Sequence, residues 1–226
     1  MPRLWLLIIS GFVTAGGLSA APDVFDGLSG DWRQAWRVEK LFTKATTYAV
    51  ERDPEMGPVL HARSDTAHAA LVRKVPIAAP SRARLAWSWK VAEVLKPVAP
   101  EHTREGDDYC ARVFVIFETS LWPLRTRAIN YVWSAREPVG SIYPSPYTAN
   151  VGMVVLRSGD ADAGVWQHES RDVLADYQMY FGEAATCISA VAVLVDTDNT
   201  RQSTEAWFAR LSLDPVPRWV NTDPAP

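Results

Sequence analysis

The residues best suited to chemistry in this 226-residue chain are acidic and fall in two places. Asp107 and Asp108 occupy a turn opened by Gly106, and Asp196, Asp198 and Asn199 follow an apolar run ending at Val195. Arg112 lies just beyond the first pair, inside Tyr109–Glu118, where both residue parities are mainly apolar. A strand covered on both faces is usually central in its sheet. If it pairs antiparallel with the run ending at Val195, the start of one strand lies beside the end of the other, and all five polar side chains meet at one edge.

Such a cluster supports three chemistries. Asp108, Asp196 and Asp198 could hold a calcium ion through oxygen ligands, although no EF-hand is present: counting from Asp196, position six is Arg201 and position twelve is Trp207. Alternatively, the aspartates cap turns through Asx hydrogen bonds, and one of Asp108, Asp176 or Asp196 pairs with Arg112, which needs a carboxylate if buried. Paired carboxylates for glycoside cleavage are the third reading, and that chemistry requires a defined separation and one raised pKa. Trp87, Trp89 and Trp133 are either core or a sugar-stacking platform, and Tyr143 and Tyr147, in a Pro-containing segment, are further stacking candidates. His61, His68, His102 and His168 are scattered without metal spacing and are expected at the surface. No G-x-S-x-G, Walker A or G-x-G-x-x-G sequence occurs, which removes the usual entry points to serine hydrolase, phosphate-loop and dinucleotide chemistry.

The elements that must position these residues are short strands. Trp36–Phe42, Thr46–Val50, Val59–Arg63, Ala69–Val75, Leu85–Val91, Tyr109–Glu118, Ala128–Ala135, Val151–Arg157, 187–195 and Ala206–Leu213 read as strands by alternation or β-branched content. Ser141–Tyr147, with Pro144 and Pro146, reads as a structured loop. One helix is expected over Arg171–Phe181, capped by Ser170 and ended by Gly182. With no βαβ rhythm and no repeat, the fold class is all-β: a two-sheet antiparallel sandwich of jelly-roll type with one short helix.

Hydrophobic residues make up 48% of the chain, enough for one sizeable core, and the net charge of −3 with interspersed signs gives no basic footprint for nucleic acid. Arg3, the apolar run Leu4–Val13 and the small residues Ser19-Ala20-Ala21 form the pattern of a secretory signal peptide over residues 1–21. The mature chain would then be exported to the periplasm or beyond, with no membrane segment. Residues 22–214 form one domain, and Pro215 to Pro226 a flexible tail. In an exported chain Cys110 and Cys187 are either a disulfide, worth ~4 kcal/mol for a loop of about 76 residues, or two free thiols.

Several blocks together carry a resemblance. Trp87-x-Trp89-Lys90, Gly106-Asp107-Asp108-Tyr109 with Arg112, Tyr131-Val132-Trp133, Asp176-Tyr177 with Phe181-Gly182, and Asp196-Thr197-Asp198-Asn199-Thr200 resemble a bacterial family of exported proteins, domain of unknown function 3047, from about Phe25 to Leu213. Cys110 and Cys187 stand where that pattern leads one to expect small residues. The family implies export and no particular activity. At fold level the strand pattern is similar to galactose-binding-type jelly rolls, which implies a carbohydrate module. The sequence therefore leads to a non-catalytic sandwich binding a small ligand or glycan through Asp107, Asp108, Arg112, Trp89, Trp133, Asp176, Asp196, Asp198 and Asn199, with no cofactor beyond calcium. An envelope-glycan enzyme using paired carboxylates and a structural periplasmic protein are the competing classes.

Overall fold

The computed structural model describes residues 32–40, 44–78, 80–118 and 126–217. The signal peptide expected at 1–21 and residues 218–226 lie outside them. Twelve strands are described, beginning with β1 (Trp36–Lys40), β2 (Thr47–Asp53), β3 (Gly57–Asp65), β4 (Ala69–Ala78), β5 (Pro80–Val91) and β6 (Ala111–Phe117). They continue with β7 (Arg127–Ser134), β8 (Ile142–Ser145), β9 (Thr148–Ser158), β10 (Gln167–Asp172), β11 (Cys187–Leu194) and β12 (Ser203–Pro217), with the helix α1 (Val173–Phe181) before β11.

The strands form two packed sheets, one of seven in the order β1-β4-β11-β6-β7-β9-β8 and one of five in the order β10-β5-β12-β3-β2. From β3 to β6 the chain alternates between sheets. β11 then fills the gap between β4 and β6, and β12 the gap between β3 and β5, which is the jelly-roll arrangement. All pairings are antiparallel except β7 with β9.

Burial follows from strand parity. Val113, Val115 and Phe117 of β6 point into the space between the sheets, where they meet Ile129, Tyr131 and Trp133 of β7 and Leu85, Trp87 and Trp89 of β5. Phe114 and Ile116 take the outer face of the seven-stranded sheet, packed with Val132, Met153, Ala192 and Leu194. Two apolar faces on β6 therefore reflect its position with a neighbour on each side, β11 and β7.

Helix α1 packs against β5, β7 and β10. Asp172, not Ser170, is its N-cap: its carboxylate accepts the N–H groups of Leu174 and Ala175, each at 3.2 Å. Ser170 is instead paired with Ala86 in the β10–β5 ladder. The helix ends at Gly182, whose φ of 74° is a conformation glycine adopts without Cβ strain. Tyr177 places its ring 4.6 Å from that of Phe117 and so joins the helix to the inter-sheet core.

Two further expectations are corrected, and the open choice for the cysteines is decided. Ile142–Ser145 is a strand, not a loop: as β8 it closes one edge of the large sheet, where Pro144 is tolerated because one side of an edge strand donates to no neighbour. The final strand also runs through Pro217 and pairs with β5, so residues 215–217 belong to the sandwich. Finally, the cysteines are not bridged. β6 and β11 are antiparallel, so Cys187 lies beside Glu118 at one end while Cys110 lies at the other, roughly 25 Å away at ~3.4 Å per residue. That is far beyond the reach of a disulfide.

Candidate functional site

The β6–β11 pairing, with Leu194 opposite Arg112, brings the two acidic segments together. Arg112 shares the outer face with Phe114 and is 2% exposed. Its Nε donates to Asp196 Oδ1 at 3.0 Å, and its Nη2 lies 2.8 Å from Asp196 Oδ2. The same Nη2 donates to the Asp107 carbonyl at 2.6 Å and stands 3.3 Å from Asp107 Oδ1. The guanidinium also lies over the Tyr109 ring at 4.3 Å. Asp196 further accepts the Tyr109 N–H at 3.1 Å, which ties the start of β6 to the end of β11.

Asp108 takes a different role. Its two oxygens accept the N–H groups of Asn199 (3.3 Å) and Thr200 (2.6 Å), an Asx-type clamp on the loop after β11. Asn199 returns a bond from Nδ2 to the Asp107 carbonyl at 3.3 Å. Asp198 faces His68, with 3.2 Å between Oδ1 and Nδ1. His68 is 1% exposed, contrary to the expectation of a surface histidine. The cluster is therefore Arg112 among Asp107, Asp108, Asp196 and Asp198, with His68 and Asn199 at its margin.

Trp89, Trp133 and Asp176 are not part of it. Trp89 and Trp133 are fully buried between the sheets with ring centroids 5.8 Å apart, and their Nε1 atoms donate to Glu169 and to the Gly159 carbonyl. They are core and present no face to a sugar. Asp176 sits on α1, where it accepts the Tyr131 hydroxyl at 2.7 Å and the Arg171 fork at 2.9 and 2.5 Å.

Burial raises the carboxyl pKa of both Asp107, to about 6, and Asp196. Arg112 opposes this, but one guanidinium is shared between them and further acids stand nearby. Arg112 itself is held more firmly charged despite its burial. The two sides differ because a single cation satisfies itself easily while two buried carboxylates compete for it; the group titrates as a unit. Asp108 is raised, first by desolvation, and desolvation lowers His68.

A raised carboxylate binds protons in the folded chain at a pH where the unfolded chain has released them, so it adds stability as pH falls from above its folded pKa toward about 4. His68, lowered, acts oppositely below its unfolded value of about 6.5. Three carboxylates outweigh one imidazole, so in chelator the melting temperature is expected to rise between pH 7.5 and 5. Further down, groups such as Asp65, lowered by Lys44 and Ser203, lose their contribution. Thermal melts across this range check the sign, and a steady fall from pH 7.5 to 5 would contradict it.

Gly106 fits closely beneath this turn. A Cβ there would stand 2.7 Å from the Ala99 carbonyl oxygen and 2.8 Å from the Pro100 carbonyl carbon, both backbone. Gly106→Ala is expected to cost about 1–3 kcal/mol in urea denaturation, because neither neighbour can rotate away.

Sequence reasoning missed Glu101, 4% exposed, whose carboxylate accepts the N–H groups of Ala135 (2.9 Å) and Arg136 (3.2 Å) and the Ser134 hydroxyl. Beside it a hollow of about 390 Å³ is lined by residues including Pro97, Val98, Pro100 and Arg136. The Glu101 carbonyl accepts the Tyr109 hydroxyl at 3.2 Å, and that hydroxyl lies 2.9 Å from the hydroxyl of Tyr143. Tyr147 lies beyond, in the turn between β8 and β9, its hydroxyl donating to the Arg104 carbonyl at 3.3 Å. Both Tyr143 and Tyr147 are half-buried. No helix among the described residues is long and apolar enough to cross a membrane.

Fold and site define a jelly-roll β-sandwich whose acidic loops are tied internally by a buried arginine. The chain belongs to the family described as protein of unknown function (DUF3047), whose model matches residues 34–212. No curated protein matches the sequence. Among solved structures, the chain is similar to the family 11 carbohydrate-binding module of cellulosomal cellulase Lic26A-Cel5E of Clostridium thermocellum, at 11% identity and a TM-score of 0.46, covering 92% of this chain and 99% of that one. A family 30 carbohydrate-binding module is similar at 9% identity and a TM-score of 0.40, over 84% and 93% of the two chains. The xyloglucanase domain of NopAA from Sinorhizobium fredii is similar at 11% identity and 0.42, over 80% and 97%. No residue role is carried across from these remote likenesses.

Proposed function

We propose that this protein is an exported, non-catalytic β-sandwich that binds a short glycan or similar polar ligand at the rim above the Arg112 cluster. The observation that carries this reading is a pair of half-buried tyrosines, Tyr143 and Tyr147, of which Tyr147 meets the loop 196–200. Tyr147 interacts with Asn199, and the Tyr143 hydroxyl meets that of Tyr109, which is bonded in turn to the carbonyl of Glu101, a residue lining the hollow. Tyrosine offers a flat face for sugar stacking and a hydroxyl for hydrogen bonding, and a hollow of this size suits a small ligand. Export rests on the signal-peptide pattern of residues 1–21.

The commitment of the carboxylates argues against glycoside cleavage here. Asp107 and Asp196 face Arg112, Asp108 holds two backbone N–H groups, and Asp198 faces His68. A retaining or inverting pair needs two carboxyl groups facing substrate.

Titration of the purified protein against a glycan panel, with and without calcium, tests the reading. At least one glycan is expected to bind without being cleaved, and Tyr147→Ala is expected to weaken it about tenfold or more while the fold is retained, in line with ~1–3 kcal/mol for a stacking contact. Absence of binding under both conditions, or full binding by the variant, would overturn it.

A further inference from the structure

In the Arg112 cluster two carboxylates, those of Asp107 and Asp196, share one guanidinium, and Asp108 and Asp198 stand nearby without contact to it. His68 enters this cluster from the neighbouring strand. β4 and β11 are antiparallel with Leu71 opposite Val193, and continuing that register by three residues sets His68 opposite Asp196. His68 Nδ1 then lies 3.2 Å from Asp198 Oδ1 and 3.6 Å from Asp196 Oδ2, and one ligand atom from each of the three residues falls within 4.8 Å of the others.

Asp196 supplies a second, independent indication. It is 1% exposed, and its two oxygens are used unequally. Oδ1 accepts directional hydrogen bonds from Arg112 Nε and the Tyr109 N–H. Oδ2 accepts none. Arg112 Nη2 stands 2.8 Å from it as an ion pair that meets no hydrogen-bond criterion. A buried carboxylate oxygen with lone pairs unclaimed by any N–H or O–H therefore borders His68 and Asp198.

We propose that His68, Asp196 and Asp198 bind a divalent first-row transition ion of the zinc class. Such an ion takes imidazole nitrogen and carboxylate oxygen at ~2.0–2.2 Å in a tetrahedral shell, which places ligand atoms about 3.3–3.6 Å apart, close to the 3.2 and 3.6 Å that separate His68 Nδ1 from the two carboxylates. Calcium prefers six to eight oxygens at longer distances, and a nitrogen among two carboxylates is a poor match to it. The sequence reading put calcium on Asp108, Asp196 and Asp198. Asp108 is committed to two N–H groups, and His68 takes its place. Three protein ligands leave a fourth position, on the side of Asp198, whose side chain is 18% exposed. The dication offsets the charge of Asp196 and Asp198, and Arg112 becomes an outer partner of the Asp196 ligand, a common arrangement around metal carboxylates. This inference is independent of the glycan reading.

The test is calorimetric titration of chelator-treated full-length protein with zinc chloride, alongside calcium chloride. One saturable zinc ion per chain is expected, with calcium at least a hundredfold weaker, and cobalt(II) is expected to give the visible spectrum of a tetrahedral site. Asp198→Asn and His68→Gln are each expected to weaken zinc at least tenfold, while Asp162→Asn, at a surface ion pair, leaves it unchanged. Asp198 is partly exposed, so its variant decides the matter even if His68→Gln fails to fold. Absence of saturable zinc binding, unchanged affinity in Asp198→Asn, or tighter calcium than zinc would overturn the proposal.

Discussion

Arg112→Ala is expected to destabilise the protein by about 3–5 kcal/mol, the range for breaking a buried ion pair from one side. The loss comes from what remains. Asp107 and Asp196, each about as buried as Arg112, would have no counter-charge, and the Asp107 carbonyl and Asp196 Oδ1 would each lose a donor. Arg112→Lys keeps the charge but cannot reproduce a guanidinium that reaches both acids and the carbonyl while lying over Tyr109, so it is expected to recover only part of the loss. Urea denaturation followed by tryptophan fluorescence measures both. A loss below ~1 kcal/mol in Arg112→Ala would place the cluster in contact with solvent.

Trp89→Ala is the second large effect, again about 3–5 kcal/mol. The indole is fully buried against Trp87 and Trp133, with centroids 5.5 and 5.8 Å away, and its removal leaves a cavity between the sheets. It also takes a donor from Glu169, which holds Arg157 at 2.7 Å. For a domain of this size the melting temperature should fall by roughly 10–15 °C. A sugar platform would behave otherwise: glycan affinity would drop while stability held.

Much of the frame was legible because it rests on local patterning. Apolar residues on both parities of Tyr109–Glu118 and 187–195 mark central strands, and their pairing, a condition in the sequence, is met by the β6–β11 ladder that brings Asp107, Asp108, Asp196 and Asn199 together. The helix and its Gly182 terminus were legible for the same reason. What escaped is set by long-range pairing or by edges. β10, Gln-His-Glu-Ser-Arg-Asp, has no apolar face, and only its backbone ladder to β5 makes it a strand. That ladder also moved the helix cap to Asp172. β8 carries a proline, which an edge position alone permits. His68 carries no local signal, because its burial depends on β4 lying next to β11, a pairing of residues more than a hundred positions apart. The same antiparallel geometry that joins the acidic loops separates Cys110 from Cys187, since each cysteine opens its own strand and antiparallel neighbours start at opposite ends. Trp89 and Trp133 show the limit of composition, since residue type suits a core and a platform equally and only the second sheet decides between them.

A double-mutant cycle on Arg112 and Asp196 tests most directly whether the acidic convergence is a structural tie. Arg112→Met and Asp196→Asn remove the two charges singly and together, with stability measured by urea denaturation. The buried tie predicts strong non-additivity: each single variant loses about 3 kcal/mol or more, and the double variant loses less than the sum by roughly 2–3 kcal/mol, because the charge at position 196 no longer stands unpaired and only Asp107 does. Losses that simply add would contradict it and show that the two side chains act separately.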